Sequence, residues 1–275
     1  MSVPSLPLRS ADAYKAIVGM VCLLLFALGQ AQTSSAQNAD RFLKWTYQDG
    51  AALVHEVRPH MPYIAAGGAA LLLPGPEIDP VVLNGVQSAD RGLFHDYLRV
   101  TNELGGPKVA PAAAGIFAIS LLTDDTKFQD AAFTSLESII YSGISMYALK
   151  YTFGRFRPEE GLGAREFEMF SGNTSFPSGH TATAFALVTP WALYYDTPAS
   201  YALMALPVGT ALARVAKDRH WPTDVVAGAA IGYLTARFLT ERHQRVSGAE
   251  PDPRIHITPG LTPGGVGLHM RVNLD

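Results

Sequence analysis

The chain has 275 residues, of which 48% are apolar and 16% carry charge, and its formal net charge is -3. That length holds one large domain or two small ones, and the charge fraction falls well below the roughly one quarter usual for soluble domains. There is no basic excess and no long charge run to hold a nucleic acid, so that class of partner is excluded.

In chain order, the first feature is an export signal over residues 1–36. Arg9 and Lys15 precede an apolar run from Ala16 to Leu28, broken by Gly19. Small residues follow, with Gly29-Gln30-Ala31 and Ser34-Ser35-Ala36 as exits. The run is short for a membrane span of about 20 residues and fits a cleaved signal peptide, with an uncleaved signal anchor as the alternative. The single cysteine, Cys22, lies inside it. A cleaved chain therefore has no disulfide and no thiolate metal site.

Apolar stretches of helical character follow at Met61–Leu73, Val109–Leu122, Ala131–Leu149, Thr181–Tyr195, Ala199–Ala213 and Asp224–Thr240. Pro and Gly clusters separate them, among them Pro74-Gly75-Pro76 and Gly105-Gly106-Pro107. The pattern predicts an all-α fold, a compact helical bundle of about six core helices rich in small residues that let helices approach closely. The last segment, residues 247–275, alternates apolar and polar residues around Pro259–Gly265 and predicts a small C-terminal β-hairpin.

The chemistry is concentrated in three motifs. Lys150-Tyr-Thr-Phe-Gly-Arg-Phe-Arg157-Pro158 places an ammonium and two guanidinium groups near a helix end. Such cations repel unless an anion joins them, and Arg157 can grip two phosphate oxygens while Lys150 supplies a point charge. Pro177-Ser178-Gly179-His180 opens the next helical run. Its Gly179 admits close backbone approach, and the free amides of that first turn, with the Ser178 hydroxyl, make an anion site beside His180. Arg214 through Asp224 contains His220 followed four residues later by a carboxylate. Asp224 can fold back to orient the His220 ring and leave the opposite nitrogen free to attack. Metal binding is the weaker reading, because the two histidines sit among cations and lack a carboxylate cluster.

In order and spacing these motifs resemble the type 2 phosphatidic acid phosphatase (PAP2) superfamily, which includes class A bacterial acid phosphatases and vanadium haloperoxidases. That pattern is Lys, six residues, Arg-Pro; then Pro-Ser-Gly-His; then Ser-Arg, five residues, His, three residues, Asp. The chain departs from it at one place, where Ala213 stands for the serine. The resemblance implies a catalytic core over residues 131–246, preceded by an N-terminal helical part of the bundle over 37–130. It implies that His220 attacks phosphorus, Asp224 orients it and His180 protonates the leaving group. It also implies that Lys150, Arg157, Ser178, Gly179 and Arg214 bind phosphate.

The function so implied is a phosphatase for monoesters or diphosphates, of a lipid or isoprenoid, working through a phosphohistidine with no metal and no cofactor. A vanadate-dependent haloperoxidase and a non-catalytic envelope protein are the alternatives. The partner is a phosphorylated small molecule or lipid, with possible membrane association. The location is exported and periplasmic, soluble or membrane-associated, with an integral membrane protein facing the periplasm as the alternative. Glu137 inside one apolar run, and the acidic cluster before it, argue against a span there.

Overall fold

The structure is a computed structural model that describes residues 36–72, 75–247, 255–262 and 265–272. The expected export signal lies outside the described residues. The chain divides into two compact units, one ending at Thr240 and the other running from Glu241 to Asp275, and each is described by itself.

The first unit is helical, as the apolar runs predict. Its helices are α1 (Ala36–Leu72), α2 (Gly75–Ala89), α3 (Gly92–Thr101), α4 (Val109–Ser120), α5 (Thr126–Phe153), α6 (Gly179–Tyr195), α7 (Pro198–Ala202), α8 (Ala205–Ala216) and the start of α9 (Pro222–Val246). Two single turns of 3-10 helix, Asn102–Gly105 and Pro158–Glu160, join them. Helices α2 and α3 occupy a stretch for which no helix is expected from the apolar runs. The Pro74-Gly75-Pro76 cluster separates α1 from α2, and Gly75 and Pro76 sit in the first turn of α2, where a missing amide hydrogen costs nothing.

Helix α5 is the spine of the bundle. Asp125 caps it by accepting from the Phe128 amide at 2.9 Å. Every residue from Gln129 to Ile139 is buried. Glu137 is among them, so its carboxylate faces the protein interior and its position in the run says nothing against lipid contact on the outside of the bundle. Around α5 gather Phe42, Trp45, Phe117 and Phe133, with ring centroids 4.8 to 5.9 Å apart. Burying aromatics of this size contributes about 1.5–3 kcal/mol each.

Two glycines bring α6 and α9 together. On α9, Gly228 and Gly232 stand one turn apart on one face. A methyl group on them would lie 2.4 Å from the Ser178 carbonyl oxygen and 2.2 Å from that of Ala182. Only a residue without a side chain lets α9 press on the first turn of α6. The Ser178 amide donates to the Asp224 carbonyl at 2.9 Å, which fixes the register of the two helix starts.

In the second unit, Ile255–Thr262 pairs antiparallel with Gly265–Val272, Ile255 opposite Val272.

Candidate active site

The first motif is shaped by the end of α5. Gly154 closes that helix in the left-handed conformation, φ 57°, and a Cβ there would collide with the Glu168 carbonyl. The turn sends the three cations in two directions. Lys150 donates through Nζ to the Thr174 carbonyl, and Arg157 donates to the Thr174 hydroxyl at 3.0 Å. Arg155 turns inward instead, into a pocket formed by Asp79 and Asp224, 2.7 Å from each. The anion that gathers three cations here is thus partly internal: two carboxylates hold Arg155, and Lys150 and Arg157 remain for a ligand.

The second motif starts α6. Gly179 lies against Lys150, whose Cε would be 3.6 Å from a Cβ at that position. The first and second motifs are therefore in contact. Ser178 is fully buried, and its Oγ accepts from the Thr181 hydroxyl at 3.0 Å. Its amide is taken by Asp224, as described above. His180 is half-buried and is backed by Gly105, where a methyl group would lie 2.5 Å from the His180 Cβ. Burial, then the charges of Arg214, His220, Lys150 and Arg157, depress the His180 pKa to about 3. Four partners from the first and third motifs act on this ring of the second, which places the motifs around a common space.

The third motif supplies Arg214 and the His220–Asp224 pair. Arg214 is buried, and its Nη1 donates to the Asn102 side chain at 3.2 Å. Its Nε is buried with no hydrogen-bond partner among the described residues. A buried guanidinium donor left open calls for an acceptor, and an anion in the cradle satisfies it. Pro222 opens α9, and Asp224 in its first turn accepts from the Trp221 amide at 2.8 Å. Ala213, at the position of the family's serine, is fully buried.

His220 is oriented differently from the sequence expectation. Its Nδ1 lies 3.7 Å from the Asp224 carboxylate, beyond hydrogen-bond reach, and 2.7 Å from the Ser175 carbonyl oxygen. A carbonyl only accepts, so Nδ1 carries the hydrogen and Nε2 presents its lone pair. Burial, opposed by Asp224 and reinforced by Lys150 and Arg214, lowers the ring pKa to about 4. The imidazole is therefore neutral above that pH. Burial alone would raise the Asp224 carboxyl, but His220, Arg155 and Ser175 together hold it below its ordinary value. It stays anionic, close enough to stabilise a positive ring.

Sequence reasoning found the cations and histidines but missed Asp79, Asn102, Gly105, Thr174 and Ser175. Asp79, Asn102 and Gly105 lie far from the motifs in sequence. Ser175 is two residues ahead of Pro177 and contributes mainly its backbone carbonyl, which no side-chain pattern reveals.

The Lys150 ammonium gives a pH prediction. Burial, opposed by Asp224 and assisted by Arg157 and Arg214, lowers its pKa to about 7. In the free protein kcat/KM should rise as pH passes about 4, where His220 loses its proton, and fall as it passes about 7, where Lys150 loses its charge. Lys150→Arg, with a charge that cannot be removed, should carry the alkaline limb upward. An alkaline limb unmoved in that variant would contradict the assignment.

The PAP2 superfamily signature matches residues 131–247. A lipid A 1-phosphatase of Porphyromonas gingivalis is 42% identical over 92 residues, covering 32% of this chain and 18% of that protein. A lipid A 1-phosphatase of Rhizobium johnstonii is 35% identical over 100 residues, covering 34% of this chain and 41% of that protein. The chain thus matches less than half the length of these curated relatives. Among solved structures, that of Aquifex aeolicus LpxE is similar over 60% of this chain and 95% of its own, with 19% identity and a TM-score of 0.48. Residues 131–247, which carry all three motifs, match the PAP2 superfamily.

Proposed function

We propose that the protein is a phosphatase that removes phosphate from a phosphorylated lipid, through a phosphohistidine on His220 and without a metal or cofactor. The observation that carries it is the His220 ring. Its Nδ1 is committed to a carbonyl, which leaves Nε2 as a bare lone pair beside a cationic cradle.

In this reading Lys150, Arg157 and Arg214, with the Ser178–Gly179 turn, hold the phosphoryl oxygens. Their charge stabilises the transition state in the place a divalent ion takes in other phosphoryl transfers. His220 Nε2 attacks phosphorus and the bond to the leaving oxygen breaks, with His180 giving that oxygen a proton. His180 is neutral in the empty site because cations surround it. A bound phosphoryl dianion offsets those cations and lets it take the proton it donates. His180 then activates water to cleave the phosphohistidine.

A lipid substrate is supported by the names of the similar proteins and by the outer surface of the bundle. Exposed apolar side chains include Ile116, Ile119 and Leu122 beside α4 and Ile144 and Tyr147 on α5. The stretch Pro198–Ala216 is long and apolar enough, by length and composition, to cross a membrane. We place the protein on the membrane, with its site on the export side. The domain limits 1–36, 37–130, 131–246 and 247–275, with the tail as a small β-hairpin, belong to the same proposal.

Phosphate release from a lipid A-type phosphate tests this reading. Activity should sediment with membranes of expressing cells and persist undiminished in EDTA. Loss on chelation with recovery in magnesium or zinc, or activity confined to the soluble fraction, would overturn it.

A further inference from the structure

Arg155 is 1% exposed and among the largest fully buried side chains in the protein, yet phosphate cannot be its partner. Its guanidinium is saturated. Nη1 donates to Asp224 and to the Thr223 hydroxyl, each at 2.7 Å, and Nη2 donates to Asp79 at 2.7 Å and to the Ala164 carbonyl at 2.6 Å. Asp79, from α2, also accepts from the Thr223 amide at 2.9 Å and its hydroxyl at 2.7 Å. It thus caps the first turn of α9 from another helix. We propose that Asp79 and Arg155 are positioning residues for the His220 nucleophile, an assignment that rests on the phosphohistidine reading above.

The route from this pair to the ring runs through Ser175. The Ser175 amide donates to the Arg155 carbonyl at 3.0 Å, and its hydroxyl donates to Asp224 at 2.6 Å. Its carbonyl is then the acceptor for His220 Nδ1 at 2.7 Å. Arg155 therefore grips Ser175 twice, through its own backbone and through the carboxylate it holds. A small rotation of Ser175 swings the imidazole and misdirects Nε2.

Charge points the same way. One guanidinium between two buried carboxylates leaves one negative charge in excess on the Nδ1 side of the ring. That excess favours the positive imidazole formed when Nε2 bonds to phosphorus. A buried ion triad adds little net stability compared with well-packed apolar side chains, and this one is assembled where it sets ring direction and charge. Asp79 also lies outside the 131–247 segment, which links the N-terminal helices to the chemistry.

The test is Asp79→Asn in the full chain, which keeps an acceptor for the Thr223 amide and removes the charge. Inhibition constants for inorganic phosphate and orthovanadate are measured beside kcat and KM. Phosphate needs only the cradle, whereas vanadate also needs a bond from the ring nitrogen. The expected result is a fall in kcat of about 100-fold, with phosphate inhibition unchanged and vanadate inhibition weakened in parallel with kcat. Inhibition constants report on active molecules only, so partial misfolding does not imitate this split. Ser175→Ala, which keeps the carbonyl but cuts the tie to Asp224, should show the same split to a smaller degree. A fall in kcat with both inhibition constants unchanged would show a purely structural role and overturn the proposal. A wild-type protein indifferent to vanadate would instead sink the phosphohistidine reading, and this assignment with it.

Discussion

His220→Ala should lower kcat by at least about 10⁴-fold, on the scale seen when a nucleophile is deleted from a catalytic unit whose members act together. The ring is buried, and its one strong hydrogen bond goes to the Ser175 carbonyl. Losing it leaves an unpaired acceptor, which costs about 1–3 kcal/mol and should leave the bundle folded. The measurement is phosphate release by the purified variant, beside its circular dichroism and melting curve. A folded variant with near-normal turnover would remove His220 from the chemistry.

His180→Ala should produce a loss that depends on the leaving group. A general acid contributes about 10²–10⁴-fold when the departing oxygen needs a proton, and far less when it leaves readily as an anion. Alkyl phosphates should therefore lose most of their rate, while an aryl phosphate with an acidic phenol should keep most of the rate of its phosphorylation step. Rapid-mixing measurement of the phenol burst isolates that step from hydrolysis of the intermediate, which also needs His180. Equal losses in the first step for both substrates would show that His180 only shapes the cradle. The neutral state of the ring in the empty site makes this test pointed, because the proton must arrive with the substrate.

The helical character of the first unit was legible because α4, α5, α6 and α9 are long apolar runs set apart by Pro and Gly clusters such as Gly105-Gly106-Pro107. The region from Ala36 to Thr101 was less legible. Its Pro74-Gly75-Pro76 cluster does separate two helices, with Gly75 and Pro76 in the first turn of α2. The residues after it lack a long apolar run, which hid α2, and with it Asp79. The run Ala199–Ala213 appears as two helices, α7 and α8, so apolar content alone did not locate the break.

The site was legible where side-chain chemistry recurs at fixed spacing, as with Lys150, Arg157, His180, Arg214, His220 and Asp224. It was illegible where the contact is made by backbone or crosses the fold. The acceptor for His220 is a carbonyl, the neighbour that sets His180 is the absent side chain of Gly105, and the partner of Arg214 is Asn102, 112 residues away. Arg155 shows the opposite failure. It was counted among the three cations of the first motif and given no role, and the two buried carboxylates that draw it inward lie outside that motif.

The central claim, covalent transfer to His220, is tested most directly by rapid-quench labelling with a ³²P-phosphorylated substrate. The account predicts a label stable to alkali and lost in acid, carried by the peptide that contains His220 and absent from His220→Ala. It further predicts that His180→Ala prolongs the label, because hydrolysis of the intermediate loses its base. Turnover with no trapped label in either protein, or a label on a residue other than His220, would contradict it.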